Sequence, residues 1–560
     1  MKEKIKKIIE KSIKGFAKEM PDFSVEIPGD KNYGDYSTNV ALVLVKRINK
    51  NPIETANLIK EKVEKSFGTA QDENKLFSKI EVAGPGFINF FIADKFFIDN
   101  LKKIDDNFGK RNELKNKKII IDYTNVNLFK EFHIGHLMNN AIGESLSRTF
   151  EFMGAEVKRV CYQSDIGLNV AKAVWGKMQN RTQNWGQAYA FGAGKYETDE
   201  MAKKEIAVLN KKIYQRDDRN INKLYDEGKR ESLKHFNELY KKLGTKFDYL
   251  IFESHVATPG KKIVEQGFKK GIFEKGNNGT IIFKGEEHGL HTRVFINSEG
   301  LPTYEAKDLG LAEFKYGKYK YDSSIIITAN EQNEYFKVML CAMEQTNPDL
   351  AKKTKHIGHG MLRLPEGKMS SRTGKVITGE SLIEKVEKLV AEKIKDRGLL
   401  EKDKKGIIEK VAIGAIRYSI LKQSIGSDIV YNFDKSISFE GDSGPYLQYA
   451  YTRANSVLEK AKKEGIKSSF KKIPSEISQL EKMISYFSEI VLKAGENYQP
   501  HYLVLYLTEL AGTFNSYYAK NKIVDKKNEL SPYRVALTNA FATVMKNGLW
   551  MLGIETLEKM

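Results

Sequence analysis

His133 and His136, with Ile134-Gly135 between them, head a segment whose apolar residues Leu137, Ile142, Leu146, Phe150 and Met153 recur at helical spacing. Gly154 supplies the stop. The run before them, Lys118-Ile119-Ile120-Ile121-Asp122-Tyr123, has the unbroken apolar character of a buried parallel strand. Strand, turn and helix in that order aim unpaired backbone N–H groups at a phosphate. The two imidazoles add side-chain donors, and Gly135 lets a nucleotide approach the backbone. Far downstream, Lys368-Met369-Ser370-Ser371-Arg372 lies between Gly367 and Gly374. A lysine on a glycine-bounded loop can close on phosphate charge as it develops, and Lys368 and Arg372 suit that task.

The tetrapeptide occurs twice, since 356–359 is again His-Ile-Gly-His. Its sequel, Gly360-Met361-Leu362-Arg363-Leu364-Pro365, is no helix, so phosphate chemistry is expected at the first copy. The second is expected in the turn that enters the Lys368 loop.

These residues need scaffolding from more than one core, because 560 residues imply three or four domains. A net charge of +19 favours a polyanionic partner. The two cysteines, Cys161 and Cys341, form no CxxC and join no ligand-spaced cluster, which argues against a disulfide frame or a zinc site. No stretch is long and apolar enough to span a membrane. Ile5, Ile8, Ile9, Ile13 and Phe16 mark an amphipathic opening helix rather than a signal peptide, and the cytoplasm is the expected compartment.

Residues 1–112 read as an α+β domain. The opening helix is followed by a strand near 23–27, helices over 37–48 and 52–67, and strands 80–83 and 87–92 paired across Gly84-Pro85-Gly86. Residues 113–385 alternate strands and helices, as in a doubly wound, Rossmann-like α/β domain. A polar, Lys-rich insertion with short strands such as 280–283 is expected to split this domain over about 167–295. Residues 386–560 read as an all-α helical bundle, with an unbroken helical pattern from about 405.

In this order and context, the two motifs resemble those of class I aminoacyl-tRNA synthetases. Further segments resemble the arginyl members: 122–133, Thr303-Tyr304-Glu305-Ala306-Lys307-Asp308, Asn330-Glu331-Gln332 and Gly414-Ala415-Ile416-Arg417-Tyr418. So do 438–441 running into Gly444-Pro445-Tyr446-Leu447-Gln448-Tyr449, 546–549 with 552–554, and Gly84-Pro85-Gly86-Phe87-Ile88-Asn89-Phe90-Phe91. The resemblance spans nearly the whole chain. Val126, Phe129, Met138 and Ile166 depart from the family pattern, and Asp122 stands where glutamate is frequent.

The resemblance implies ligation of L-arginine to tRNA(Arg), through an arginyl-adenylate made from ATP with Mg2+, by a monomer without a tightly held metal. His133, Gly135, His136, Met361, Lys368, Ser370, Ser371 and Arg372 would hold ATP, with Met361 and the second tetrapeptide beside the adenine. Asp122, Tyr304 and Asp308 would take the guanidinium, a planar fork that carboxylates match. Asn127 and Gln332 would take the α-amino end. Ser371 stands where many class I enzymes have a second lysine, and the resemblance gives that charge to Lys130; a tRNA-end contact or a solvated lysine is the plainer alternative. Asn89 and Phe91 would meet the tRNA elbow. Tyr446, Gln448, Tyr449 and Tyr517 would meet the anticodon end, and Tyr451, Phe514 and Tyr518 are further candidates, some of them core. The competing readings are another class I synthetase, such as the zinc-binding cysteinyl type, and a non-catalytic tRNA-binding paralogue.

Overall fold

The computed structural model describes residues 1–16, 19–48, 50–67, 76–180, 184–363, 378–395 and 400–560. They form two compact units, one of residues 1–109, 453–490 and 510–544 and the other of residues 110–452, 491–509 and 545–560.

The first unit opens with α1 (Lys2–Ile13), whose Ile5, Ile8, Ile9 and Ile13 are buried at helical spacing. It continues through β1 (Val25–Glu26), β2 (Tyr36–Thr38), α2 (Val40–Ile48), α3 (Pro52–Phe67), β3 (Phe77–Ala83), β4 (Phe87–Ile92) and α4 (Asp94–Leu101). The strands form an antiparallel sheet in the order β1-β2-β4-β3. Strand pairing claims Ser37 and Thr38, so the expected helix at 37 begins at Val40 instead. Ile88, Phe90 and Ile92 alternate into the core, with Asn89 and Phe91 on the other face.

The second unit is built on β5 (Lys118–Asp122), α5 (Ile134–Phe152), β6 (Glu156–Gln163), α6 (Leu168–Gln179), α7 (Trp185–Thr198), α8 (Glu200–Gln215), α9 (Arg219–Lys242), β7 (Tyr249–Phe252) and α10 (Glu253–Lys269). β8 (Glu274–Lys275), β9 (Ile281–Phe283) and β10 (Arg293–Ile296) make a small antiparallel sheet. Then come α11 (Tyr304–Lys318), β11 (Ser323–Ala329), α12 (Asn333–Thr346), α13 (Pro348–Lys353), β12 (Thr354–His359), β13 (Leu362–Arg363), α14 (Gly379–Ile394), α15 (Glu401–Leu421), β14 (Ile429–Val430) and α16 (Phe433–Ser436). The chain ends with α17 (Gly444–Lys463), α18 (Gln479–Glu496), α19 (His501–Lys520) and α20 (Ser531–Met551), which contribute to both units.

The main sheet is parallel throughout, in the order β12-β11-β5-β6-β7. This is the doubly wound arrangement, and its order reverses between β5 and β11. Ligands of such sheets bind at that reversal, outside the carboxyl ends of the strands. Two expectations change here. β7 lies inside 167–295, so that interval returns to the sheet midway rather than forming one insertion. β14, paired in parallel with β13, interrupts the helical pattern after 405.

Candidate active site

His133 caps α5 and His136 occupies its third position. The rings stack with centroids 3.5 Å apart, and the His133 backbone N–H donates to His136 Nδ1 at 3.2 Å. That bond leaves the proton of neutral His136 on Nε2, where it is a donor. Gly135 has a second use beside nucleotide access: a Cβ there would lie 3.0 Å from the His133 ring. Burial, then the charge of Lys130, lowers His133 to about 4. Burial also puts His136 well below its usual value, helped by His133 and Lys130. Both imidazoles are therefore neutral N–H donors at pH 7. Lys130 is lowered to about 8 by burial, against the charge of Glu253, and its Nζ lies 4.3 Å from the Tyr189 ring centre. A phosphate arriving beside it would raise that value again, since opposite charge favours the ionised form.

The backbone between β5 and α5 is strained. Thr124, Asn125 and Phe129 have φ of 75°, 44° and 67°. Neighbours hold these conformations in place. Thr124 N–H donates to Asn139, Tyr162 N–H to Asn125 Oδ1 and Phe129 N–H to Ser232 Oγ. Phe129 is buried against Trp185 and Tyr225, and Gly228 makes the room, since a Cβ there would come within 2.4 Å of the Phe129 ring. Val126, Met138 and Ile166, the other departures, are buried as well.

Lys368, Ser370, Ser371 and Arg372 lie outside the described residues. Of the flanking chain, Thr378 bridges His133 in antiparallel fashion, and Gly379 N–H donates to Phe132 O at 2.6 Å. The second tetrapeptide is not in a turn. Residues 356–359 belong to the edge strand β12, paired with β11. His356 stacks on Phe336 at 3.9 Å and bonds Thr328 Oγ1 at 2.7 Å. Met361 spends its N–H on Asp428 and its C=O on Ile429 N–H, so its backbone is committed within the protein.

Tyr304, Lys307, Asp308 and Lys315 form one stripe of α11 at i, i+3, i+4 and i+11. Asp308 accepts from the Tyr335 hydroxyl at 2.6 Å and, among the described residues, has no ion-pair partner. Burial, with the Asp122 charge adding and the Tyr335 bond opposing, pushes Asp308 up to about 7. Asp122 lies at the carboxyl end of β5. Its Oδ2 lies 3.3 Å from Lys315 Nζ, and both side chains are 1% exposed. Lys315 engages one oxygen of Asp122, while Oδ1 is buried without a hydrogen-bond partner, and burial outweighs the Lys315 charge and holds the carboxyl above its usual value. Nearby, Glu253 pairs with Lys307 at 2.5 Å, Asp165 with Lys229 at 2.7 Å and Glu305 with Arg293 at 3.1 Å. Tyr304 is half exposed, its hydroxyl 3.5 Å from Asn169 Nδ2. Asn127 follows β5, bridged to Ser164, and exposed Gln332 ends the 3-10 turn after β11. The ends of these two adjacent strands thus present Asn127, Gln332, Asp122 and the α5 histidines at the reversal of the sheet. Lys307, Lys315 and Glu253 escaped the sequence reading. The signal for the lysines was the charge on the stripe that α11 turns inward.

The tRNA candidates divide. Phe91 is partly exposed, but Asn89 beside it is 2% exposed. Tyr446 and Tyr449 of α17 and Tyr517 of α19 are partly exposed. Gln448 is fully buried and donates to Lys410 O and Glu555 O, which makes it an internal brace rather than a surface for RNA. Phe514 is core, stacked on Phe541 at 3.9 Å, whereas Tyr518 is 41% exposed.

Comparison with known proteins matches residues 1–92 to the arginyl tRNA synthetase N terminal domain, 100–433 to tRNA synthetases class I (R), catalytic domain, and 447–560 to the DALR anticodon binding domain. An arginine–tRNA ligase of Fusobacterium nucleatum is 30% identical, covering 97% of this chain and 96% of its own. One of Clostridium acetobutylicum is 28% identical over 100% and 99%. The arginyl-tRNA synthetases of Thermus thermophilus (TM-score 0.77, 22% identity, 100% of both chains) and Plasmodium falciparum (TM-score 0.79, 21%, 100% of this chain and 99% of its own) share the fold. The match over 100–433, more than half of the chain, places it in its family: it belongs to the class I arginyl-tRNA synthetases.

Proposed function

We propose a division of labour among these residues for the family's reaction, ATP-dependent formation of arginyl-adenylate with release of pyrophosphate, then transfer of arginine to the 3'-terminal adenosine of tRNA(Arg). The observation that carries it is that a donor-rich helix N-terminus at the reversal of the sheet shares its unit with a buried carboxylate, Asp308, that feels the Asp122 charge at the end of β5 and has no ion-pair partner among the described residues. The first is made for phosphate and the second for a cation.

In this reading, the substrate carboxylate attacks the α-phosphorus of ATP while His133 and His136 donate to phosphate oxygens. Lys130 and Lys368, with Arg372, balance the leaving pyrophosphate, so no protein nucleophile is needed. Gly135, Ser370, Ser371 and Met361 complete the nucleotide contacts, and Mg2+ would be carried on the ATP phosphates. Asp308 takes the guanidinium with Tyr304 beside it. Asp122, whose Oδ1 has no partner among the described residues, shares the guanidinium with Asp308, and Asn127 and Gln332 hold the α-amino end. Phe91, Tyr446, Tyr449 and Tyr517 are the aromatic surfaces for tRNA, whose unstacked bases suit such rings. The working unit is a single chain in the cytoplasm, alongside the tRNA it charges.

Pyrophosphate exchange across the twenty amino acids, with and without tRNA(Arg), tests the assignment. Exchange confined to arginine and lost in Asp308→Asn supports it; exchange unaffected by that change removes Asp308 from the site.

A further inference from the structure

Three consecutive residues of the turn before α5 each meet the first turn of α7. Phe129 packs edge-on against Trp185, with ring centres 5.1 Å apart. Glu131 lies over Gly186, where a Cβ would come 2.7 Å from the Glu131 Cγ. Between them, the Lys130 ammonium stands 4.3 Å from the centre of the Tyr189 ring. Trp185 and Tyr189 are one turn apart on the same face of α7. That first turn is fixed in its own right, since Asn184 and Gln187 form a capping box and the Trp185 indole N–H donates to Glu231 at 2.9 Å. The Tyr189 hydroxyl donates to Asn169 Oδ1 at 3.4 Å, which holds the far edge of the ring. Among the described residues Lys130 has no carboxylate within ion-pair distance: Glu253 acts on it from farther away and is itself paired with Lys307. The other titratable groups here are His133 and His136 of α5, both neutral at pH 7, and Lys172 of α6, on the far side of Tyr189. The face of the Tyr189 ring is the direct contact that favours the ammonium over the neutral amine.

We propose that Tyr189 is a positioning residue for adenylate formation: its ring keeps the Lys130 ammonium charged and aimed at the pyrophosphate that ATP releases. The proposal rests on the reading of Lys130 as a cation of the phosphate site. A lysine drawn out of water loses part of what stabilises its charge. A ring face, negative at its centre, returns some of that stabilisation without pairing the charge off. A carboxylate in the same place would compete with phosphate for the ammonium, and an aliphatic side chain would let it give up its proton. Tyr189 thus acts through Lys130 and does not itself touch ATP.

The test compares Tyr189→Phe and Tyr189→Leu in the full-length enzyme, reading kcat/KM for ATP from pH 6 to 9 at saturating arginine and tRNA, because that ratio reports groups of the enzyme before ATP binds. In the wild type it falls as Lys130 loses its proton. Tyr189→Leu should move this fall to lower pH by roughly one unit, since removing a contact that favours the charged form lowers the value of the lysine. At pH 8 that shift alone lowers kcat/KM for ATP by roughly fivefold, while the arginine KM stays within about twofold. Tyr189→Phe keeps the ring face and should leave the fall unmoved, with kcat/KM within about twofold of wild type. In the Lys130→Met background, Tyr189→Leu should have no further effect on single-turnover adenylate formation, a non-additive cycle. An unmoved fall in Tyr189→Leu overturns the proposal. So does a Tyr189→Phe variant as impaired as Tyr189→Leu, or a cycle whose effects add. If Tyr189→Leu does not fold, pentafluorophenylalanine in place of Tyr189 keeps the shape of the ring and reverses its charge distribution, and it decides by the same shift. Lys130→Met is also read alone. Adenylate formation unchanged there would sink the reading of Lys130, whereas a slowed Lys130→Met with an unmoved fall in Tyr189→Leu would sink this inference alone.

Discussion

Arginine should bind more tightly as pH rises through neutrality, because its acceptor must first lose a proton. An ordinary aspartate titrates near 4 and is fully ionised at pH 6. Burial holds Asp308 at about 7. With that value, about one enzyme molecule in eleven has the carboxylate at pH 6 and about ten in eleven at pH 8. Apparent affinity scales with the competent fraction, so kcat/KM for arginine should rise about tenfold across this window and then level off. The other end of the site moves oppositely. Lys130, lowered to about 8, loses its charge as pH rises, so kcat/KM for ATP should fall above that value. Steady-state aminoacylation from pH 6 to 9, with each substrate varied at saturation of the others, separates the two limbs. Asp308→Asn should flatten the arginine limb and raise its KM by roughly two to four orders of magnitude, the cost of about 3–5 kcal/mol for a buried charge left without its partner. An arginine limb that is flat in the wild type, or that persists in Asp308→Asn, would refute the argument.

His133→Ala and His136→Ala should each slow adenylate formation by about 2–4 kcal/mol in single-turnover assays, with tRNA affinity unchanged. His356→Ala, on β12, should cost far less in rate, and a larger effect there would reverse the assignment of the two tetrapeptides. Lys130→Ala should slow adenylate formation, and adding Ser371→Lys should restore part of the rate as a non-additive double-mutant cycle; independent effects would end the idea that Lys130 replaces a missing loop lysine. Gly228→Ala should destabilise the fold by about 1–3 kcal/mol in denaturant titrations, because its Cβ would meet both the Phe129 and the Trp185 rings, and Phe129→Ala should relieve only part of that penalty.

Periodicity and turn chemistry are local, and what depends on them was readable from the chain. The strand at 118–122, the helix that follows His133 and the pairing of β3 with β4 across Gly84 are all set by residues within a few positions of one another. So was the helix N-terminus that His133 caps, because it and its flanking residues are contiguous. Identical local sequence stops being informative where context decides. His-Ile-Gly-His caps a helix at 133 and lies in an edge strand at 356, since the second copy pairs along β11. The helical pattern near 448 could not say that Gln448 faces inward, toward carbonyls at 410 and 555. The proposed arginine end was legible only in part. Asp308 and Tyr304 stood out by motif, but charge balance is a property of distant partners. Lys315 reaches Asp122 across 193 positions and Lys307 reaches Glu253 across 54. Sheet order brings these groups together, and burial then makes each unpaired charge expensive, so tertiary structure decides which carboxylate oxygens, those of Asp308 and Oδ1 of Asp122, are left without a cation or hydrogen bond to match them.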